Sequence, residues 1–235
     1  MTKWQEIWNK RGGVDRPAAD LQALIDLDGF DGGAGKVHAP DWRVYAQAVA
    51  RALLMRPGDS LFEVGCGAGA FLYALRDAGF HIAGGIDYSE GLIQVACAHF
   101  PEASLNRAEA SALEIHPHCD YVVANSVFHY FPSFEYAAVV LARMCAKARK
   151  GIAVLEIPDQ ASNVESERAR RDLLSEEEYA RKYAGLEHRY YPRQWFADRA
   201  AELGLKCETS DQFLPNYAQS RFRFNCIIRK DDDHA

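Results

Sequence analysis

The stretch Leu61–Leu75, LFEVGCGAGAFLYAL, constrains this chain more than any other. Leu61, Phe62 and Val64 suit the end of a buried strand, and Phe71, Leu72 and Leu75 recur at helical spacing. Between them Gly65, Gly67 and Gly69 permit a tight turn and leave room for a ligand against bare backbone. The turn therefore sits at the carboxyl end of a strand and the amino end of a helix, where α/β proteins bind nucleotides.

Two cofactor classes fit such a turn, and Glu63 separates them. Gly65, Gly67 and Ala70 satisfy the loose dinucleotide pattern G-x-G-x-x-G/A, with Asp87 about twenty residues on. A pyrophosphate would be repelled by the Glu63 carboxylate, whereas a ligand carrying an ammonium would be attracted. An NAD(P)-dependent oxidoreductase thus shares the turn but leaves Glu63 unexplained.

Three motifs stand in order: Glu63-Val64-Gly65-Cys66-Gly67-Ala68-Gly69, Gly85-Ile86-Asp87-Tyr88-Ser89, and Asp120-Tyr121-Val122-Val123-Ala124-Asn125. With them the chain resembles the class I S-adenosylmethionine-dependent methyltransferases, well over roughly Pro57–Gly151 and more loosely elsewhere. The resemblance implies one α/β domain with a seven-stranded, mostly parallel, doubly wound sheet, an N-terminal helical cap and an insert after the fifth strand. It also implies transfer of the sulfonium methyl of S-adenosylmethionine to an oxygen or nitrogen of a small metabolite. The competing readings are the oxidoreductase and a non-enzymatic protein that only holds S-adenosylmethionine.

At 235 residues, with 49% hydrophobic and 26% charged positions, the chain suits one soluble domain. The boundaries read as a cap or lid over 1–40, a cofactor-binding core over 41–157, an acceptor lid over 158–192, and a closing helix and strand pair over 193–235. A net charge of −6 favours neither nucleic acid nor an anionic membrane, which leaves a small-molecule acceptor. Six scattered cysteines show no ligand or CxxC spacing and read as reduced, mostly buried thiols. No metal cluster, signal peptide or membrane-length apolar run is visible, so the expectation is a cytoplasmic monomer or homodimer.

In order along the chain, Lys3–Arg11 reads as a helix with Trp4, Ile7 and Trp8 on one face, either an edge helix or a lid. Asp20–Leu27 continues an apolar pattern into a glycine-rich loop, GFDGGAGKVHAP, and Asp41–Leu54 is helical. Strands are expected at His81–Asp87, Ala103–Asn106, Cys119–Asn125, Gly151–Ile157, Lys206–Phe213 and Arg221–Arg229, the last added at the sheet edge as in the resembled family. Phe134–Lys147 is an amphipathic helix whose carboxyl end carries the basic run Lys147–Lys150.

Asp87 closes the second strand, where it can accept bonds from both ribose hydroxyls or cap the helix that follows, a role open to Ser89 too. The resemblance implies cofactor contacts at Glu63, Gly65, Cys66, Gly67, Gly69, Asp87, Tyr88 and Ser89. It adds Glu109 and Ala110 against the adenine, and Asn125 and Ser126 under the methionine part. His129 is either a structural histidine or the proton acceptor, since its pKa lies near neutrality. Trp4, Trp8 and Arg11, then Tyr130, and then Tyr190, Tyr217 and Arg221 are expected to line an acceptor pocket suited to planar or anionic molecules. Arg168, Arg171 and Tyr183 of the insert are further lid candidates.

Overall fold

The computed structural model describes residues 3–12, 20–32, 36–172, 175, 177 and 188–230. The expectations at Gly13, Gly33, Gly35, Tyr183 and the tail 231–235 lie outside the described residues.

Three short helices lead into the sheet: α1 (Lys3–Asn9), α2 (Leu21–Leu27) and α3 (Ala39–Ala52). Then β1 (Ser60–Val64), α4 (Ala70–Asp77), β2 (His81–Asp87), α5 (Glu90–His99), β3 (Ser104–Arg107), β4 (Cys119–Asn125), α6 (Phe134–Lys147) and β5 (Ala148–Pro158) alternate. The remainder is α7 (Asn163–Arg171), α8 (Arg193–Glu202), β6 (Cys207–Asp211) and β7 (Arg223–Arg229). Local chemistry fixes several starts. Asp20 accepts from the Ala23 amide, Ser89 from Leu92 and Ser133 from Tyr136, each capping the helix that follows.

The seven strands run in the order β3-β2-β1-β4-β5-β7-β6, with β1 to β5 parallel. β7 is antiparallel to both β5 and β6. Helices cover both faces. Leu24, Trp42, Tyr45, Phe71 and Ile93 form one core layer, and Phe128, Leu141, Met144, Phe196 and Phe224 form the other. Central strands are buried on both sides, which is why β4 reads as a continuous apolar run.

Two expectations need correction. The final strand is not at the edge: β7 lies between β5 and β6, and the polar β6, CETSD, takes the exposed place. The second face of β7, carrying Arg223 and Asn225, is buried, because both side chains find partners inside. The basic run is also divided, since α6 stops at Lys147 and Ala148 opens β5. Lys147 Nζ donates to the Glu114 and Pro117 carbonyls, while Lys150 pairs with Asp59 and Asp120.

Parallel register sets Glu63 opposite Val123, Asn125 opposite Leu155 and Asp87 opposite Arg107. Glu63, Asp87, Asn125 and Glu156 thereby collect at the carboxyl edge of the sheet. Gly84 keeps this edge tight, for a Cβ there would stand 2.2 Å from the Ser104 carbonyl oxygen of β3. Gly84→Ala should cost about 1–3 kcal/mol of stability by forcing β2 and β3 apart, measurable by urea unfolding.

Candidate active site

A pocket opens over the carboxyl edge, floored by the turn after β1 and walled by the ends of β2 and β4. Gly65 and Cys66 donate to the Ile86 carbonyl at 2.7 and 3.0 Å, which locks the turn onto β2. Gly67 has φ +54, and a Cβ on it would meet Asp28 Oδ1 at 2.2 Å. Gly65 has φ +72, and a Cβ on it would meet Val127 Cγ2 at 2.4 Å. Side chains at these two positions would fill the cradle.

Four carboxylates border the pocket, Glu109 at the far rim and three beside the glycine turn. Glu63 is 2% exposed, and its Oε2 has no hydrogen-bond partner among the described residues. Burial, reinforced by the charges of Asp28 and Asp87, holds its carboxyl well above the usual range. Asp87 Oδ2 accepts from the Gly67 amide at 3.0 Å and Oδ1 from the Ser89 amide at 2.8 Å. Burial nonetheless pushes its carboxyl up to about 6. Capping of α5 falls to Ser89, so Asp87 is free of that task.

Asp28 is the third, and sequence reasoning missed it. Its Oδ1 accepts from the Ala68 amide at 2.6 Å and Oδ2 from the Ala70 amide at 3.0 Å, so it closes the amino end of α4 from some forty residues away. Burial pushes its carboxyl up to about 7 against the pull of those two amides. One signal was available: α4 begins after Gly69, which has no side chain to cap it, so the cap had to come from elsewhere. Nothing local in the loop singled out Asp28.

The cofactor candidates that line the pocket are Glu63, Gly65, Cys66, Gly67, Asp87, Tyr88, Glu109, Ala110, Asn125 and Ser126. Gly69 and Ser89 stand just outside it, the one heading α4 and the other donating to the Trp8 carbonyl. The Cys66 thiol is buried and held protonated far above its normal range, which suits a filler and not a nucleophile. Glu109 accepts from Gln5 and from the Tyr136 hydroxyl, tying α1 and α6 to the far rim. Asn125 accepts from the buried Tyr45 hydroxyl at 3.0 Å.

The pocket on its own fits several nucleotide ligands; comparison with known proteins narrows the choice. A family model described as a methyltransferase domain matches residues 38–210. The chain belongs to that family. No curated protein matches it by sequence. Among solved structures, magnesium protoporphyrin IX methyltransferase from Synechocystis with bound SAH has a TM-score of 0.58, with 16% identity over 89% of this chain and 96% of that one. DesVI from Streptomyces venezuelae gives 0.61, with 14% identity over 89% and 98%. CalS10, an amino pentose methyltransferase from Micromonospora echinaspora, gives 0.58, with 15% identity over 81% and 92%. Their fold is that of the class I methyltransferases, as the sheet order and the glycine turn led one to expect.

In this methyltransferase the acceptor candidates divide into two groups. Trp4, Trp8 and Tyr130 meet at the pocket mouth, the Trp4 and Trp8 rings lying 4.7 and 5.7 Å from that of Tyr130. Arg11 is nearby but turned to the Asp26 carbonyl and Asp31. Tyr190 bonds Arg170 and Ser166, Tyr217 donates to Glu156, and Arg221 is exposed over Phe222; none of the three lines the pocket. The His129 ring also stands behind the wall, 4.0 Å from Tyr130 by ring centroids, with its Nδ1 3.8 Å from Glu156. Burial keeps it neutral, well below its usual pKa. Of the insert, Arg168 points to Asp172 at the end of α7.

The raised carboxyls make the site pH-sensitive. Asp28 titrates near 3.8 unfolded and near 7 folded, so the folded state is penalised as pH rises between those values. Wild type should therefore lose stability relative to Asp28→Asn between about pH 5 and about pH 8, measurable by chemical denaturation at both.

Proposed function

We propose that this methyltransferase uses S-adenosylmethionine to methylate an oxygen or nitrogen of a small metabolite. The observation that carries the reading is the buried, unpartnered Glu63 Oε2 beside the glycine turn, with Asp28 and Asp87 adding negative potential around it. Such a site suits a cation and opposes a dinucleotide pyrophosphate, which weighs against the oxidoreductase. Bound there, S-adenosylmethionine supplies an activated methyl group, whose bond to sulfur breaks as the acceptor's bond to carbon forms in line.

The chain's own residues then bind, align and exclude water. Glu63 takes the ammonium, and Asp87, each of whose oxygens keeps a lone pair beyond its amide bond, takes the ribose hydroxyls. Tyr88, Glu109 and Ala110 border the adenine end, and Asn125 and Ser126 the methionine end. Helix α1 acts as the lid: the Trp4 and Trp8 carbonyls accept from Tyr88 and Ser89, and the two indoles close the mouth. Residues 1–40 thus serve as cap, 41–157 as core, 158–192 as acceptor lid and 193–235 as the closing helix and strands. If the acceptor must lose a proton, His129 is the candidate to receive it, with Glu156 placed to stabilise the imidazolium.

Support for a small acceptor comes from the negative net charge and from relatives named for a porphyrin and an amino pentose. The reading includes a cytoplasmic monomer or homodimer, in keeping with the free cysteines. No helix among the described residues is long and apolar enough to cross a membrane.

Calorimetry should show S-adenosylmethionine binding and far weaker binding of NAD or NADP; the reverse result would overturn the reading. Glu63→Gln should weaken the cofactor about ten- to hundredfold, the worth of one charge-assisted bond at about 1.5–3 kcal/mol. Asp87→Ala should cost at least about tenfold for the same reason. As pH falls through about 7 and then about 6, Asp28 and Asp87 take up protons and lose their pull on a cation, so wild-type affinity should drop. Affinity that does not change over that range would remove the electrostatic part of the argument.

A further inference from the structure

Behind the Ser126–Tyr130 wall lies a second polar centre that the cofactor does not use. Glu156, at the end of β5, is 2% exposed and has φ +58. Its Oε1 accepts from Arg223 Nε at 2.7 Å and the Tyr217 hydroxyl at 3.0 Å, and its Oε2 from the Ser126 hydroxyl at 3.0 Å. Its charge is therefore balanced by Arg223, and its lone pairs are well supplied with donors.

The nitrogens around it are in the opposite condition. Arg223 Nη1, His129 Nδ1 and both ring nitrogens of His188 are buried without a hydrogen-bond partner among the described residues. The two imidazoles are 4.6 Å apart, and the His188 ring stacks on Trp4 at 5.1 Å with an interplanar angle of 22°. Burial, followed by the nearby guanidinium of Arg223, keeps the His188 imidazole neutral. Leaving such groups unpaired is costly, and four in one cluster is unusual for a native interior. The shortage is local, for Asn225 on the same strand as Arg223 has both its amide oxygen and its nitrogen satisfied.

With His129 protonated at Nδ1, three of these four nitrogens lack an acceptor, and the unprotonated nitrogen of neutral His188 lacks a donor. A guanidinium N–H and one N–H from each neutral imidazole make three neighbouring donors, enough to match the lone pairs of a carboxylate. A doubly charged phosphate fits less well, because Glu156 already balances Arg223 and a second excess charge would be left buried. A single negative charge can be offset by a proton taken up on His129 or His188. The centre joins the cofactor pocket through Ser126 and Tyr130, both of which line it, and through Trp4, which touches both Tyr130 and His188. We propose that Arg223, His129 and His188 form the acceptor subsite for a carboxylate, and that the methyl acceptor is a planar carboxylic acid lying along the Trp4–Tyr130 wall. This rests on the reading of the neighbouring pocket as the methyl-donor site.

The test uses the full chain saturated with S-adenosylhomocysteine, with benzoate as probe and the histidine ring resonances as readout, assigned from His129 and His188 variants. Benzoate should shift the His129 and His188 signals saturably, benzamide should not, and inorganic phosphate should bind more weakly. His188→Asn should lower benzoate affinity about tenfold or more while S-adenosylhomocysteine affinity changes less than about twofold. Arg223→Lys, which keeps the charge opposite Glu156, should show the same separation. No saturable shift in wild type, or an equal response to benzamide or phosphate, overturns the inference while leaving the donor site intact. Failure of S-adenosylhomocysteine to bind overturns the donor reading instead, and benzoate titration of the free protein then decides the carboxylate subsite by the same criteria.

Discussion

The contact on which the site most depends is the carboxylate of Asp28 laid across the Ala68 and Ala70 amides. Helix α4 starts behind glycine and has no cap of its own, so its exposed amides draw the negative side chain to them. That attraction fixes the end of α2 over the glycine turn. Arg11 then donates to the Asp26 carbonyl and pairs with Asp31, which ties the end of α1 to the same segment. Through these links the two indoles of α1 reach the pocket mouth. The cost is a third buried carboxyl near Glu63 and Asp87, and such a group of acids is relieved only by protons or by a bound cation.

Backbone strain marks the other end of the site. Ser126 and Glu156 hold φ values of +60 and +58, unusual for residues with side chains, and they follow β4 and close β5 at the carboxyl edge. The hydrogen bond between their side chains spans the two strand ends. Arg223, entering from β7, neutralises Glu156 from below. With β7 covered by β6, the buried pair gives up its hydration, and the Tyr217 and Ser126 hydroxyls supply donors that offset that cost.

Much of the fold was legible because its signals are local. β2, β4 and α6 appear in the sequence with the bounds they have in space, since apolar runs and an amphipathic stretch ending in basic residues state them directly. The Glu63-to-Gly69 turn likewise announces the pocket that it floors, because glycine spacing reports backbone geometry. Asp28 did not announce itself, for its partners lie about forty residues away and its own surroundings read as loop. The grouping of Tyr190, Tyr217 and Arg221 as one pocket wall shows the complementary limit. Aromatic and basic composition gave a surface character, but pairing across the sheet sent Tyr217 to Glu156 and Arg221 to solvent. Position in β7 decided which arginine was buried, and neighbouring Arg223 took that place.

The two polar centres also share one closing element. Trp4 packs against Tyr130 on the donor side and stacks on His188 on the other, while its carbonyl receives the Tyr88 hydroxyl. Lifting α1 would therefore expose both centres at once, and anything that holds it down orders both. Two ligands that each favour the closed position of one helix favour each other's binding to the same degree, because the coupling free energy is reciprocal. On the reading proposed for α1, such a lid would exclude water from the transfer only when both partners are in place. That arrangement suits a reaction whose donor is already activated and whose main hazard is an unintended acceptor.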